Sequence, residues 1–150
     1  MTIYVDPTET LEFEPQCSIC DGRSGAIVEL GAGNGFLGLK MARILSSRQE
    51  KFKGEVKTLV LTDLEAVCPL LERNCQTRFP KTTEFPSVNL LVQPLEWGNL
   101  DHGWRLAEQL TSNIPSTRSN SPDALLTHIV CSDLVSLLCH PTVSPLRSLL

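Results

Sequence analysis

The stretch Val28-Glu29-Leu30-Gly31-Ala32-Gly33-Asn34-Gly35-Phe36-Leu37-Gly38 decides how the rest of the chain is read. It joins the end of a short apolar run, Ala26-Ile27-Val28-Glu29-Leu30, to the start of a helical pattern. A brief β-branched run closed by glycine is the signature of a buried parallel strand. Beyond the glycines, Leu37, Met41, Ile44 and Leu45 recur at i, i+4, i+7 and i+8, which makes one apolar stripe on a helix ended by the polar stretch Ser46 to Gly54. Glycines at such a strand-to-helix junction let the backbone turn tightly and let a ligand reach N–H groups at the positive end of the helix. Two nucleotide-type cofactors fit that geometry. Gly33-x-Gly35-x-x-Gly38 satisfies the dinucleotide fingerprint, with Asp63 ending the next strand as the ribose acid, but the tight turn itself begins earlier, at Gly31.

Outward from this junction the βα alternation continues. Val56 to Leu61 reads as a second strand, and Thr62-Asp63-Leu64-Glu65 fits a capping box opening a helix that carries Pro69 in its first turns and runs to about Arg78. Val88 to Val92 reads as a third strand. Leu100 to Leu110 reads as an amphipathic helix with Trp104, Ala107 and Leu110 on one side, and His128 to Ser132 as a fourth strand. The Ser-, Asn- and Pro-rich stretch Thr111 to Pro122 is expected as an exposed loop. The order βαβαβαβ predicts an α/β fold, a Rossmann-like parallel sheet with helices on its faces and about four strands. Residues 1–25 are expected as an irregular acidic lead-in and 26–150 as the cofactor-binding part of a single domain.

Composition narrows the function classes. The net charge is −4, and the first 16 residues hold Asp6, Glu9, Glu12 and Glu14 with no base, so the remainder is balanced at 13 acids and 13 bases. A neutral body argues against a nucleic-acid partner. No apolar run approaches the roughly 20 residues that span a bilayer, and no membrane role is expected. The six cysteines are expected as reduced thiols of a cytoplasmic protein, because Met1 to Gln16 has neither a secretory nor a mitochondrial leader pattern. Cys17-x-x-Cys20 lacks a second pair and Cys139-His140 is distant, so no metal site is expected.

The run Val28 to Gly38 resembles motif I of the class I, seven-β-strand S-adenosylmethionine-dependent methyltransferases. Leu61-Thr62-Asp63-Leu64 with Leu70-Leu71-x-x-Asn74, Pro94-Leu95-Glu96-Trp97-Gly98, and Ile129-Val130-Cys131-Ser132-Asp133-Leu134-Val135 narrow the similarity to the methyltransferase family 16 group of protein-lysine methyltransferases. The resemblance covers about residues 26 to 135. It implies that Gly31, Ala32, Gly33 and Gly35 form the loop under S-adenosylmethionine, with Glu29 fixing the loop or the cofactor's amino group. It implies that Asp63 accepts both ribose hydroxyls, that Trp97 lies against the adenine, that Ser132 lines the pocket and that Asp133 belongs to the catalytic lysine site. The implied partner is a protein substrate with a lysine acceptor, such as a chaperone or a translation factor, and the implied state is a monomer unless an open sheet edge pairs. The similarity weakens after Asp133, since Ser136 stands where the family has an aromatic residue, and three further family strands are not recognisable. A truncated, weakly active or inactive chain is therefore expected, with a non-catalytic cofactor-binding fragment or a nicotinamide-dependent oxidoreductase as alternatives.

Overall fold

The computed structural model describes residues 19, 25–47, 57–78, 88–112 and 126–131. They form strands β1 (Ala26–Leu30), β2 (Lys57–Asp63), β3 (Val88–Pro94) and β4 (Leu126–Cys131). Between them lie helices α1 (Phe36–Ser47), α2 (Cys68–Arg78) and α3 (Leu100–Ser112). The sheet order is β3-β2-β1-β4, with every pair parallel. This is the expected α/β, Rossmann-like architecture. Winding runs one way from β1 through β2 to β3 and then returns past β1 to β4, so the topology reverses at β1. Ligands of open α/β sheets bind outside the carboxyl ends of the strands at such a point.

Side chains alternate across the strands and sort the helices onto the two faces. Ile27 on β1 and Leu59 and Leu61 on β2 meet Leu37, Met41, Ile44 and Leu45 of α1 together with Leu71 of α2. Ala26, Val28 and Val60 point the other way and meet Leu110 and Leu106 of α3. The first layer is the larger: Ile27, Met41, Leu45, Leu59, Leu61 and Leu71 are all essentially inaccessible to solvent there, as are Val28 and Val60 in the second. The apolar stripe expected on α1 is the stripe it buries. Ile19 joins that core, and the buried Lys57 ammonium donates to its carbonyl at 2.7 Å, so part of the expected lead-in is tied to the sheet.

Two local expectations give way to tertiary contacts. Thr62 does not cap a helix, because β2 continues through Asp63 and the Thr62 hydroxyl donates across the sheet to the Glu29 carbonyl at 2.6 Å. Helix α2 begins only at Cys68, after a turn in which Val67 N–H donates to the Leu64 carbonyl, and Pro69 sits in its first turn as expected. On α3, the residues that pack are Leu106 and Leu110, whereas Trp104 and Ala107 face solvent. Among the described residues, Cys68, Cys75 and Cys131 are free thiols, and no helix is long and apolar enough to cross a membrane.

Candidate functional site

At the carboxyl end of β1 the chain turns through Gly31, Gly33 and Gly35, with φ of 65°, 57° and 79°. L side chains rarely adopt that left-handed region, which is why glycine recurs here. Space separates the three. A Cβ added at Gly31 or Gly33 would meet nothing within 4 Å, so these two present open backbone, while one at Gly35 would strike Leu71. The loop is closed by Gly35 N–H donating to the Ala32 carbonyl at 2.8 Å and is anchored to β2 by Ala32 N–H donating to the Thr62 carbonyl at 2.9 Å. Gly35 then serves as the N-cap of α1, its carbonyl accepting Leu39 N–H at 2.9 Å, and the Asn34 side chain accepts Phe36 N–H at 3.0 Å.

Asp63 ends β2 beside this loop. Its Oδ2 accepts Gly33 N–H at 2.7 Å, its Oδ1 accepts Leu64 N–H at 2.7 Å, and its carbonyl accepts Leu95 N–H at 2.8 Å from the end of β3. One residue thus clamps the glycine loop and the start of the β3 turn. An ionised carboxylate has about four lone-pair sites, so two remain for further donors such as vicinal hydroxyls.

Glu29 is placed differently. It is fully buried beneath the loop, and its Oε2 overlies Gly38, where an added Cβ would collide with that oxygen and with Leu61. This position sets the carboxylate against the first turn of α1. Trp97 follows β3 in the turn Glu96-Trp97-Gly98-Asn99, half exposed, and Phe36 and Leu64 are exposed apolar groups at the same end of the sheet. The structure therefore brings Gly31, Ala32, Gly33, Gly35, Asp63 and Trp97 to one end of the sheet. Ser132 and Asp133 lie outside the described residues, as do Cys17, Cys20, Cys139 and His140.

Three residues take roles here that the sequence did not assign to them. Asn74 of α2 donates to the Asn34 carbonyl at 2.9 Å and so ties that helix to the glycine loop; its spacing in Leu70-Leu71-x-x-Asn74 was the available signal. Thr62 joins β1 to β2 directly under the loop. His102 accepts Glu96 N–H at 3.1 Å and holds the Trp97 turn, and no sequence pattern marks it.

Burial, reinforced by the Asp63, Glu72 and Glu65 carboxylates, pushes the Cys68 thiol up, so it stays protonated beside the site. Its Sγ faces the Leu64 carbonyl at 3.5 Å. Among the described residues, no group of three or more His, Cys, Asp and Glu could hold a metal ion.

A family model described as lysine methyltransferase matches residues 10–111, about two thirds of the chain. The chain belongs to this lysine methyltransferase family. The match begins within the segment expected as a lead-in and includes the glycine loop, Asp63 and the Trp97 turn. It selects the methyltransferase reading of the glycine motif over the nicotinamide one. Neither a curated protein nor a solved structure matches the chain.

Proposed function

We propose that this lysine methyltransferase-family chain binds S-adenosylmethionine at the carboxyl ends of β1, β2 and β3 and serves methyl transfer to lysine side chains of proteins. The observation that carries the reading is the Asp63 carboxylate, which reaches from β2 to the Gly33 N–H while keeping acceptor capacity for two ribose hydroxyls. The residues fit such a ligand in three respects. Open backbone at Gly31 and Gly33 accommodates the amino-acid portion, since a side chain at either position would project into the space it needs. Asp63 suits the ribose, because hydrogen bonds to an ionised acceptor are about twice as strong as neutral ones. Trp97, with half its surface free, offers an indole to the adenine.

When bound, the cofactor supplies an electrophilic methyl group on a sulfonium, so the protein's work is to bind and orient the reactants. Gly31 and Gly33 admit the ligand, Asp63 orients the ribose, and Glu29 with Thr62 holds the loop to the sheet. The acceptor must be neutral, whereas a free lysine with a pKa of about 10.4 is uncharged in only roughly one molecule in a few thousand at pH 7. Asp133 is assigned to that acceptor site and Ser132 to the lining of the cofactor pocket. The protein acceptor is of the chaperone or translation-factor kind, and the chain acts in the cytoplasm as a monomer.

The test is incubation of the full chain with methyl-labelled S-adenosylmethionine and a cell lysate, followed by hydrolysis and separation of the methylated amino acids. Label in methyl-lysine, lost in Asp63→Ala, supports the proposal. Label in another residue would overturn the lysine assignment. No label despite bound cofactor would leave a cofactor-binding chain without transferase activity.

A further inference from the structure

Trp97, half exposed, stands in a turn that is held by backbone bonds. The turn Glu96-Trp97-Gly98-Asn99 closes by Asn99 N–H donating to the Glu96 carbonyl at 3.0 Å, with Gly98 at φ 84° supplying the positive φ that such a turn needs at its third residue. Asn99 is the N-cap of α3, since its carbonyl accepts Gly103 N–H at 3.2 Å and its Oδ1 accepts His102 N–H at 3.2 Å. Asn99 Nδ2 also donates to Glu96 Oε2 at 3.4 Å.

His102 occupies the third helical position, where a capping box places Glu or Gln to reach back to the N-cap N–H. Here the side chain reaches three residues further, and Nδ1 accepts Glu96 N–H at 3.1 Å. The preceding N–H, of Leu95, is taken by the Asp63 carbonyl. The turn is therefore gripped on one side by β2 and on the other by His102. An accepting Nδ1 requires the neutral imidazole with its hydrogen on Nε2, whereas the imidazolium carries hydrogens on both nitrogens and would set Nδ1–H against Glu96 N–H.

We propose that His102 is a positioning residue for Trp97. Its neutral imidazole holds the turn in the conformation that receives the nucleoside of the cofactor, and protonation releases the turn and weakens binding. The inference rests on the cofactor reading above only for what Trp97 touches. The charged groups on these elements are Glu96 in the turn, Asp101, Arg105 and Glu108 on α3, and Asp63 and, at its far end, Lys57 on β2. Glu96 is engaged by Asn99, and Asp63 by Gly33 and Leu64.

The experiment uses the full chain carrying Trp104→Phe, which leaves Trp97 as the only indole, since the sequence has two tryptophans. Trp97 emission and anisotropy are followed over about pH 8 to 5, where histidines change charge, and S-adenosylhomocysteine affinity is measured by calorimetry at both ends. A step in Trp97 signal with about a fivefold loss of affinity at the acid end is expected, as for loss of one hydrogen bond. His102→Asn places an amide oxygen where Nδ1 stands and does not titrate, so it should keep the pH 8 affinity and signal throughout. His102→Ala should show the acid-end signal and affinity at every pH, with the chain still folded by circular dichroism. Retention of the step in His102→Asn, or full pH 8 affinity in His102→Ala, would overturn the proposal. A His102-dependent step without S-adenosylhomocysteine binding at any pH would refute the cofactor reading while sustaining the hold of His102 on Trp97.

Discussion

The face of the sheet under α1 and α2 and the face under α3 bury their strand residues alike but differ in how many helix side chains cover them. On the first, Ile27, Leu59 and Leu61 are wholly enclosed by side chains of α1 and α2. On the second, Val28 and Val60 are covered by Leu110 and Leu106, while Trp104 on α3 is 73% exposed and Ile129 on β4, which pairs with Val28, is 60% exposed. The site straddles the two. The glycine loop enters α1 and is braced by Asn74 of α2, with Glu29 buried against the first turn of α1, whereas the Trp97 turn hangs on the first turn of α3 through Asn99 and His102. On the proposed reading, the more fully covered half would set where the cofactor's ribose and amino-acid portion lie, and the less covered half would set the adenine wall. Adjustable elements of a binding site belong at the low-stability end of a structure, and α3 is the candidate for that role.

The largest expected contrast is in core truncation. Leu61→Ala should cost about 2–5 kcal/mol, as for other fully buried leucines, and Leu110→Ala should fall at or below the bottom of that range because its surroundings are thinner. Denaturant midpoints of the two variants check this, and equal losses would break the comparison. Next is the clamp between the halves. Asp63→Ala removes a charged acceptor worth about 1.5–3 kcal/mol, so exchange of the Gly33 amide should accelerate roughly ten- to a hundredfold by hydrogen exchange.

A pair of glycines sharpens the comparison further. A Cβ at Gly38 would run into the Leu61 side chain and the Glu29 carboxylate, so Gly38→Ala should destabilise by about 1–3 kcal/mol. Gly103 on α3 has nothing within 4 Å of an added Cβ, and Gly103→Ala should stabilise by up to about 1 kcal/mol through helix propensity. Thermal melts should therefore move in opposite directions. An effect absent at neutral pH concerns Cys75 in the layer of α1 and α2, whose thiol is pushed up to about 11 by burial, with Glu72 and Glu29 adding. The folded state then holds the proton more tightly than the unfolded chain does. Stability is unaffected below the ordinary thiol value of about 8.5 and declines as pH rises from there toward about 11. Stability measured across that range should lose this decline in Cys75→Ala.

Much of the architecture was legible because periodicity and turn residues agree with the tertiary structure. The run Ala26-Ile27-Val28-Glu29-Leu30 is β1 residue for residue, and the i, i+4, i+7, i+8 stripe of α1 is buried as read. The glycine loop and Asp63 were legible because the junction chemistry is local. What was not legible depended on partners distant in sequence. Thr62 and Glu65 satisfy a capping pattern, yet the Thr62 hydroxyl finds the Glu29 carbonyl 33 residues away and the strand continues. Trp104 and Ala107 read on one helical side with Leu110, but it is Leu110 and Leu106 that reach the sheet, while Trp104 and Ala107 face solvent. His102 acts on a backbone N–H six residues before it, beyond the reach of the usual capping pattern.

The central claim is that the ends of β1, β2 and β3 form a nucleoside-binding site organised by Asp63. Calorimetric titration of the full chain with S-adenosylhomocysteine, alongside Asp63→Asn, tests it most directly. The account predicts saturable one-to-one binding that weakens about tenfold or more in the variant, since the asparagine keeps the shape but loses the charge and part of the acceptor capacity. Absence of binding to the unaltered chain, or an affinity unchanged in Asp63→Asn, would contradict it.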